Sequence, residues 1–233
     1  MRLDEVFKDL GYLAGQFAAQ IRESAQGVPL EELDFTAPAP SKIALTGPSQ
    51  VFVKVGEVFR VEAEGQARDQ LRFALGEGHL SISGGDSATV VTVTAPAPRK
   101  LAVAESGRMT AERLARDGKV SIAGSGRLEL TDIEGGDVKV SIAGSGRLVA
   151  DGQVDTLDLS IAGSGSCDGE GLRAESASVS IAGSGDAIFG CDGEVSASLM
   201  GSGNVIVRGS ARCSVHSMGS GTLVCERPGE HGD

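Results

Sequence analysis

Aromatic residues are scarce in this sequence, which has no Trp, one Tyr and seven Phe among 233 residues. Enzymes that act on polysaccharides use convergent carboxylates or a basic residue in a cleft, together with aromatic rings that stack on the sugars. The aspartates here fall mostly near predicted turns, where their side chains accept backbone hydrogen bonds. The sequence therefore predicts a non-enzymatic protein with no catalytic residue, and a carbohydrate-active enzyme is the least favoured function.

Positive charge and long apolar runs are also lacking. Lys and Arg number 21 against 32 Asp and Glu, a net charge of −11, whereas a nucleic-acid-binding protein needs a basic surface. No apolar run reaches transmembrane length, and the N-terminal residues do not combine a basic start with an uninterrupted apolar stretch. We expect no nucleic-acid partner, no transmembrane segment and, if Met1 is the native start, a cytoplasmic protein.

A short motif, Ser-Ile-Ala-Gly-Ser-Gly, recurs through the second half of the chain. It occurs in full four times and then twice in looser form, at residues 121–126, 141–146, 160–165, 180–185, 198–203 and 217–221. Measured on the last glycine of each copy, starting from Gly107, the steps are 19, 20, 19, 20, 18 and 18 residues. This period is typical of a solenoid, in which each repeat buries its apolar side by stacking on its neighbours.

Residues around each turn alternate between apolar and polar, which is the side-chain period of a β-strand. We predict that two apolar columns face the core, including Val120, Val140, Leu159, Ile122, Ile142 and Ile161. The serine column between them is predicted to face the solvent, at Ser121, Ser141, Ser160, Ser180 and Ser198. Glycine reaches positive φ without penalty and has no Cβ, so the Gly-Ser-Gly turns are expected to stack closely. The pattern predicts a parallel β-helix.

Metal-binding motifs are missing. The four cysteines, Cys167, Cys191, Cys213 and Cys225, contain no Cys-x-x-Cys pair, and the three histidines are scattered. A disulfide ladder between coils would need cysteines in matching columns of adjacent coils, and these columns do not match. We expect the cysteines to fill the core as free thiols, with no metal and no cofactor.

The first 27 residues have a helical period instead. On a helix, one apolar stripe would be formed by Leu3, Val6, Phe7, Leu10, Leu13, Phe17 and Ile21. The opposite face carries more acid than base, which disfavours peripheral contact with an anionic membrane. We predict an amphipathic helix that caps one end of the solenoid or binds a protein partner, including a second copy of the chain.

Composition divides the chain into five segments. They are the helix, a Pro-containing linker, irregular opening coils of the solenoid, regular Gly-Ser-Gly coils and a flexible tail, at residues 1–27, 28–41, 42–98, 99–227 and 228–233 respectively.

The order of these parts resembles the bacterial head GIN domain family, whose members are described as adhesin heads. The resemblance covers roughly residues 40–225 and rests on the opening strand pairs, the run from Val91 to Pro96 that leads into Lys100, and the tandem turns. It implies an all-β fold, a single-stranded right-handed parallel β-helix, here with an added N-terminal amphipathic α-helix. It implies no catalytic residues, and it offers a periplasmic or cell-envelope location as the alternative to the cytoplasm.

Two functions from different classes fit these observations. The first is a structural or interaction module, a scaffold or assembly protein whose helix caps the solenoid or contacts a partner. The alternative, which the resemblance favours, is an envelope-associated adhesin-like or ligand-binding head.

Overall fold

The computed structural model describes residues 27–226, whose regular secondary structure is almost entirely β-strand. Eighteen strands form one continuous sheet, and the only helices among these residues are two 3-10 turns, Leu30–Glu32 and Arg68–Gln70. The predicted all-β parallel solenoid is confirmed, and its right-handed winding stays a prediction. The helix predicted for residues 1–27 and the tail at 228–233 lie outside the described residues, except for Gly27.

Seven coils stack in register from Lys100 to the end of the described chain. The strands of the first three coils are β7 Lys100–Glu105, β8 Arg108–Ala111, β9 Lys119–Gly124, β10 Arg127–Leu130, β11 Asp137–Gly144 and β12 Arg147–Ala150. The remaining coils are built from β13 Gly152–Gly163, β14 Ser166–Gly183, β15 Asp186–Gly201, β16 Asn204–Arg208, β17 Arg212–Gly219 and β18 Thr222–Glu226. Each repeat pairs with its neighbour in parallel, so that Ser141 lies opposite Ser121 on one side and Ser160 on the other.

The opening part of the solenoid does not stack in sequence order. It contributes two layers, made of β1 Lys42–Thr46 with β2 Gln50–Val55, and β5 His79–Ser83 with β6 Val90–Ala95. Strand β1 pairs in parallel with both β5 and β7, and β2 pairs in parallel with both β6 and β8. The layer formed by β1 and β2 therefore lies between the layer of β5 and β6, which follows it in sequence, and the first regular coil, which is formed by β7 and β8.

Antiparallel strands close the N-terminal end of the stack. Strand β3, Arg60–Glu64, pairs with β6, and β4, Arg72–Gly76, pairs with β5. An isolated bridge from Val28 to Phe73 extends this arrangement by one residue pair. A solenoid needs a cap over its terminal edge. Within residues 27–226 these strands cover that edge. The cap or partner contact predicted for the N-terminal helix stays a prediction.

The core is a continuous column of aliphatic side chains, as predicted. Ile122, Ile142 and Ile161 have at most 2% of their surface exposed, and each lies opposite its equivalent in the next coil. Each coil is thin, so its apolar side chains are covered only when coils lie above and below. Stacking therefore supplies the burial that stabilises the fold.

The Gly-Ser-Gly turns require glycine for two reasons, which Gly144 shows together. Its φ of +109° is a conformation that L side chains rarely adopt, and a Cβ there would lie 2.6 Å from the carbonyl oxygen of Gly124 in the preceding coil. That carbonyl accepts a hydrogen bond from the backbone N–H of Ser145 at 2.9 Å. The close approach of successive turns is thus built into the hydrogen bonding between coils.

The cysteines divide into two pairs, and the prediction was wrong for one of them. Cys167 and Cys191 are buried free thiols, as expected. Cys213 and Cys225 form a disulfide with their Cα atoms 6.7 Å apart. The sequence argument considered bridges between coils, whereas this one crosses the core within a single coil. The positions correspond to Val195 and Val207 in the preceding coil, which are both buried.

The C-terminal coil is less protected than the others. Val215, Met218 and Val224 are 52%, 55% and 45% exposed. The disulfide lies in this same coil, between β17 and β18. It therefore cross-links the coil in which burial contributes least.

Candidate functional site: a basic groove along the solenoid

One outer face of the solenoid carries a row of four lysines in register. Lys42 in β1 lies opposite Lys100 in β7. Lys119 in β9 lies opposite Lys100 on its other side, and Lys139 in β11 follows opposite Lys119. Adjacent strands are about 4.8 Å apart, so the four positions span about 14 Å along the solenoid axis.

These lysines line a groove of about 470 Å³, which we call the basic groove. Its charged lining residues comprise five basic and two acidic side chains, namely Lys42, Arg99, Lys100, Lys119, Lys139, Asp117 and Asp158. The chain as a whole has a net charge of −11. The groove therefore concentrates positive charge on a protein whose remaining surface is acidic, an arrangement that attracts anions to one place.

Serines line the basic groove, and the prediction that their column faces the solvent was wrong for three of its five members. The other two, Ser141 and Ser198, are half-buried. Ser121 and Ser160 line the groove, yet they are only 5% and 8% exposed. Ser180, further along the same column, is 7% exposed. The serines do alternate with the core residues, but they lie beside longer side chains such as Lys119 and Lys139 on the same face. The hydroxyl groups of Ser121 and Ser160 are therefore recessed in the groove.

Asp158 neutralises one end of the lysine row. Lys139 Nζ lies 3.5 Å from Asp158 Oδ2, and Asp158 occupies the next position of the same row. Within residues 27–226, neither Lys42 nor Lys119 has a carboxylate within salt-bridge distance. Like charges directly opposite one another on adjacent strands destabilise a sheet. The adjacent positive charges of Lys42, Lys100 and Lys119 therefore repel one another.

Lys100 experiences this repulsion most directly. Burial lowers the pKa of its half-buried ammonium group, and the neighbouring positive charges of Lys42 and Lys119 lower the pKa further. Both causes disfavour the charged form, because a buried cation loses hydration and adjacent cations repel it. An anion in the groove would raise the pKa of Lys100, because it would favour the charged form.

A second groove, on another flank, is acidic but largely neutralised. Arg113 contacts Asp132 at 3.0 Å and Glu134 at 3.1 Å, and Arg116 Nη2 lies 2.6 Å from Asp155 Oδ2. These carboxylates all line the groove. Arg113 lies about one repeat before its carboxylate partners and Arg116 about two repeats before Asp155, so these pairs link different coils.

Asp192 in the same acidic groove also has a structural partner. Its Oδ1 accepts hydrogen bonds of 3.0 Å from both the backbone N–H and the hydroxyl of Ser210. These bonds lower the pKa of Asp192. A general acid in glycoside cleavage needs a raised pKa, so Asp192 has the opposite perturbation.

The residues predicted to contact a partner or cap the solenoid lie outside residues 27–226, and their role stays a prediction: Leu3, Val6, Phe7, Leu10, Leu13, Phe17 and Ile21. Within the described part of the chain, no group of three or more His, Cys, Asp or Glu side chains could hold a metal ion. No helix in that part is long and apolar enough to cross a membrane.

The chain belongs to the family described as "putative auto-transporter adhesin, head GIN domain", whose model matches residues 39–211. The resemblance found from the repeat is thereby confirmed. A search of curated proteins found no match.

Solved structures share the fold at low sequence identity. A putative adhesin from Bacteroides fragilis has a TM-score of 0.74 at 19% identity, over 83% of this chain and 95% of that one. A putative lipid binding protein from Parabacteroides distasonis has a TM-score of 0.65 at 21% identity, over 81% of this chain and 93% of that one. A putative adhesin from Parabacteroides merdae has a TM-score of 0.65 at 16% identity, over 81% and 92%.

The lysine row could have been found from the sequence. Lys119 and Lys139 each precede the serine column by two residues, so they share its face. Lys42 and Lys100 occupy the same position in earlier strands. The signal is local, whereas the net charge of −11 is an average over the whole chain.

Proposed function

We propose that this chain is a non-enzymatic, adhesin-like head domain that binds its ligand in the basic groove and works at the cell envelope. The basic groove carries the proposal, because it gathers five basic side chains on a rigid solenoid face of an acidic protein. Membership of the head GIN domain family supports the same class of function. The similar structure from Parabacteroides distasonis is described as a putative lipid binding protein, which is also a ligand-binding function.

The disulfide supports a location outside the cytoplasm. Disulfides persist in oxidising compartments and are rare in the cytosol, where thiols are kept reduced. The Cys213–Cys225 bridge therefore suits the periplasm or the cell surface. This favours the envelope alternative over the cytoplasmic location that we first expected.

The scaffold function has less support. It depended on the amphipathic helix of residues 1–27, most of which lies outside the described chain. The acidic groove gives no support to the enzymatic alternative, because its carboxylates Asp132, Glu134 and Asp155 form ion pairs with arginines.

Cell fractionation combined with thiol labelling tests the proposed location. Cells that natively express the protein are treated with an alkylating reagent before lysis, separated into cytosolic and envelope fractions, and probed for the protein. We expect it in the envelope fraction with Cys213 and Cys225 oxidised. Purely cytosolic protein with all four cysteines reduced would contradict the proposal.

A binding assay that assumes no particular ligand tests the function itself. The immobilised protein is exposed to radiolabelled envelope material and, separately, to cytosolic material from the same cells. We expect retention of envelope material that high salt releases, since charge dominates the groove. Equal retention of both fractions would contradict an adhesin-like function.

A further inference from the structure

One column of side chains on the outside of the solenoid is buried although it faces away from the core. Ser121 shows this, because it lies between the core residues Val120 and Ile122 and still has little exposed surface. The column runs through seven successive strands, β5, β1, β7, β9, β11, β13 and β14. We call it the covered column, and its members in that order are Ser81, Ala44, Ala102, Ser121, Ser141, Ser160 and Ser180. All except the half-buried Ser141 are at most 8% exposed.

The strands themselves do not account for this burial. Residues 27–226 wind as a single sheet around one core, so no second layer of strands lies over the outer face within this part of the chain. Ser166 and Ser196 also face outward between paired strands, and both are only half-buried. The depth of the basic groove is not the cause either, since Ser180 is buried without lining the groove. An additional cover over the column explains the difference.

The hydroxyl group of Ser81 indicates that the cover is apolar at that position. Ser81 is 3% exposed, and its Oγ has no hydrogen-bond partner among residues 27–226. Buried hydroxyl groups normally have a partner, and water would supply one if the column were open. An apolar side chain over Ser81 excludes water and offers no hydrogen bond, which accounts for both observations.

The chain enters the described structure beside the Ser81 end of the covered column. The backbone N–H of Val28 donates to the carbonyl of Phe73 in β4, and the N–H of Phe73 donates to the carbonyl of Val28, both at 2.8 Å. Phe73 lies opposite Ile82, which is the residue next to Ser81 in β5. Residues 1–26 therefore begin their path at this end of the column.

The other end of the chain is placed less well to supply the cover. The segment that follows Glu226 leaves from the C-terminal coil. In the last two coils the same column is open, since Ser198 is half-buried and His216 is exposed. Burial of the column thus decreases toward the end from which this segment leaves.

Residues 1–26 match the covered column in length and in character. Seven strands spaced about 4.8 Å apart make a column about 29 Å long. The apolar stripe predicted for the segment runs from Leu3 to Ile21, and at about 1.5 Å per residue a helix would make this stripe about 27 Å long. Small side chains in the column, such as Ala102 and Ser160, leave room for the larger side chains of the stripe.

We propose that residues 1–26 form an amphipathic helix that lies lengthwise on the covered column of the same chain, with Ile21 near Ser81 and Leu3 near Ser180. The helix covers one side of the solenoid and not its end. The basic groove then lies between the helix and the lysine row, where Lys42, Lys119 and Lys139 stay exposed. Docking of the helix is independent of the ligand-binding function, because it takes place without a ligand.

An introduced thiol reports on the cover. Ser180→Cys in the full chain is treated with a maleimide, and the labelling rate at residue 180 is read by mass spectrometry. Ser196→Cys is the reference, because Ser196 faces outward in the next coil and is half-buried. We expect Ser180→Cys to react at least about tenfold more slowly than Ser196→Cys. Equal rates would overturn the proposal.

Substitutions within residues 1–26 identify what provides the cover. Leu10→Asp places a charge in the middle of the apolar stripe, so it should undock the helix and accelerate labelling at residue 180 at least about fivefold. Ala19→Asp is the matched control, because it adds the same charge about two and a half turns further on, on the opposite side of the helix. It should leave the rate unchanged. Equal effects of the two, or no effect of Leu10→Asp, would overturn the proposal and assign the burial to a concave bend of the sheet.

Two further measurements separate docking from folding and from dimerisation. Cys167 is a buried free thiol of the core, and it should stay unlabelled in every variant. Labelling of Cys167 after Leu10→Asp would show that the solenoid itself opens, which contradicts docking on its outer face. Light scattering should give a monomeric mass for the protected chain. A dimeric mass would assign the cover to a second copy and overturn the proposal.

Retention of envelope material, the test of the proposed function, is measured separately. Rapid labelling at residue 180 with undiminished retention would overturn docking of the helix and leave the ligand-binding function intact. Slow labelling without retention would have the opposite meaning.

Discussion

The Gly-Ser-Gly turns allow the stacking of coils to be tested by adding one methyl group. Gly144→Ala places a Cβ 2.6 Å from the carbonyl oxygen of Gly124, at a φ of +109°. The backbone strain costs about 1–3 kcal/mol. Shifting the turn also weakens the hydrogen bond from Ser145 N–H to that carbonyl, which contributes about 1 kcal/mol. We expect Gly144→Ala to lower the free energy of unfolding by about 2–4 kcal/mol in total.

Gly76→Ala is the control for this substitution. Gly76 ends strand β4, its φ is not positive, and nothing lies within 4 Å of the added Cβ. Gly76→Ala should change the free energy of unfolding by less than about 0.5 kcal/mol. Urea denaturation followed by circular dichroism measures both variants. Equal free energies of unfolding for the two would refute the close stacking of the turns.

Three further predictions concern the core and the cysteines. Replacing Cys213 and Cys225 by Ser should cost about 3 kcal/mol in the C-terminal coil, so that hydrogen exchange accelerates in β17 and β18 and not in β9; uniform acceleration would contradict this. Ile161→Asp buries an unpaired charge and should cost more than about 4 kcal/mol, whereas Val58→Asp, at a position 70% exposed, should cost less than about 0.5 kcal/mol in the same denaturation assay. Burial, and to a lesser degree the charge of Asp168, raises the pKa of Cys167 from 9.0 to about 12. The unfolded thiol therefore ionises first as pH rises above 9.0, and the free energy of unfolding should fall between there and about pH 12. Cys167→Ala should reduce this fall, and an unchanged pH dependence would show that the thiol is not buried.

Local periodicity was enough to predict the regular coils. The alternation around Val120 and Ile122 recurs with each turn, and glycine is needed wherever successive turns meet. Each repeat makes its main contacts with identical segments about twenty residues away, so the local pattern also specifies the neighbours. The head GIN resemblance followed from the same turns.

Features that depend on contacts across the coil or between distant strands were not predicted. The Cys213–Cys225 bridge depends on which side chains meet across the core, which the column alignment does not show. The enclosed position of β1 and β2 depends on how residues 79–95 return to pair beside them. Ser121 is only 5% exposed although it alternates with the core residues, because alternation does not specify what covers the outer face of a strand.

Lysine footprinting tests the basic groove most directly. The full chain is acetylated with and without a saturating amount of the envelope material that it retains, and the rate at each lysine is read by mass spectrometry. We predict protection at Lys42, Lys119 and Lys139 and none at Lys54. Equal protection of Lys54, or no protection in the groove while the envelope material is bound, would contradict the assignment of the basic groove as the ligand site.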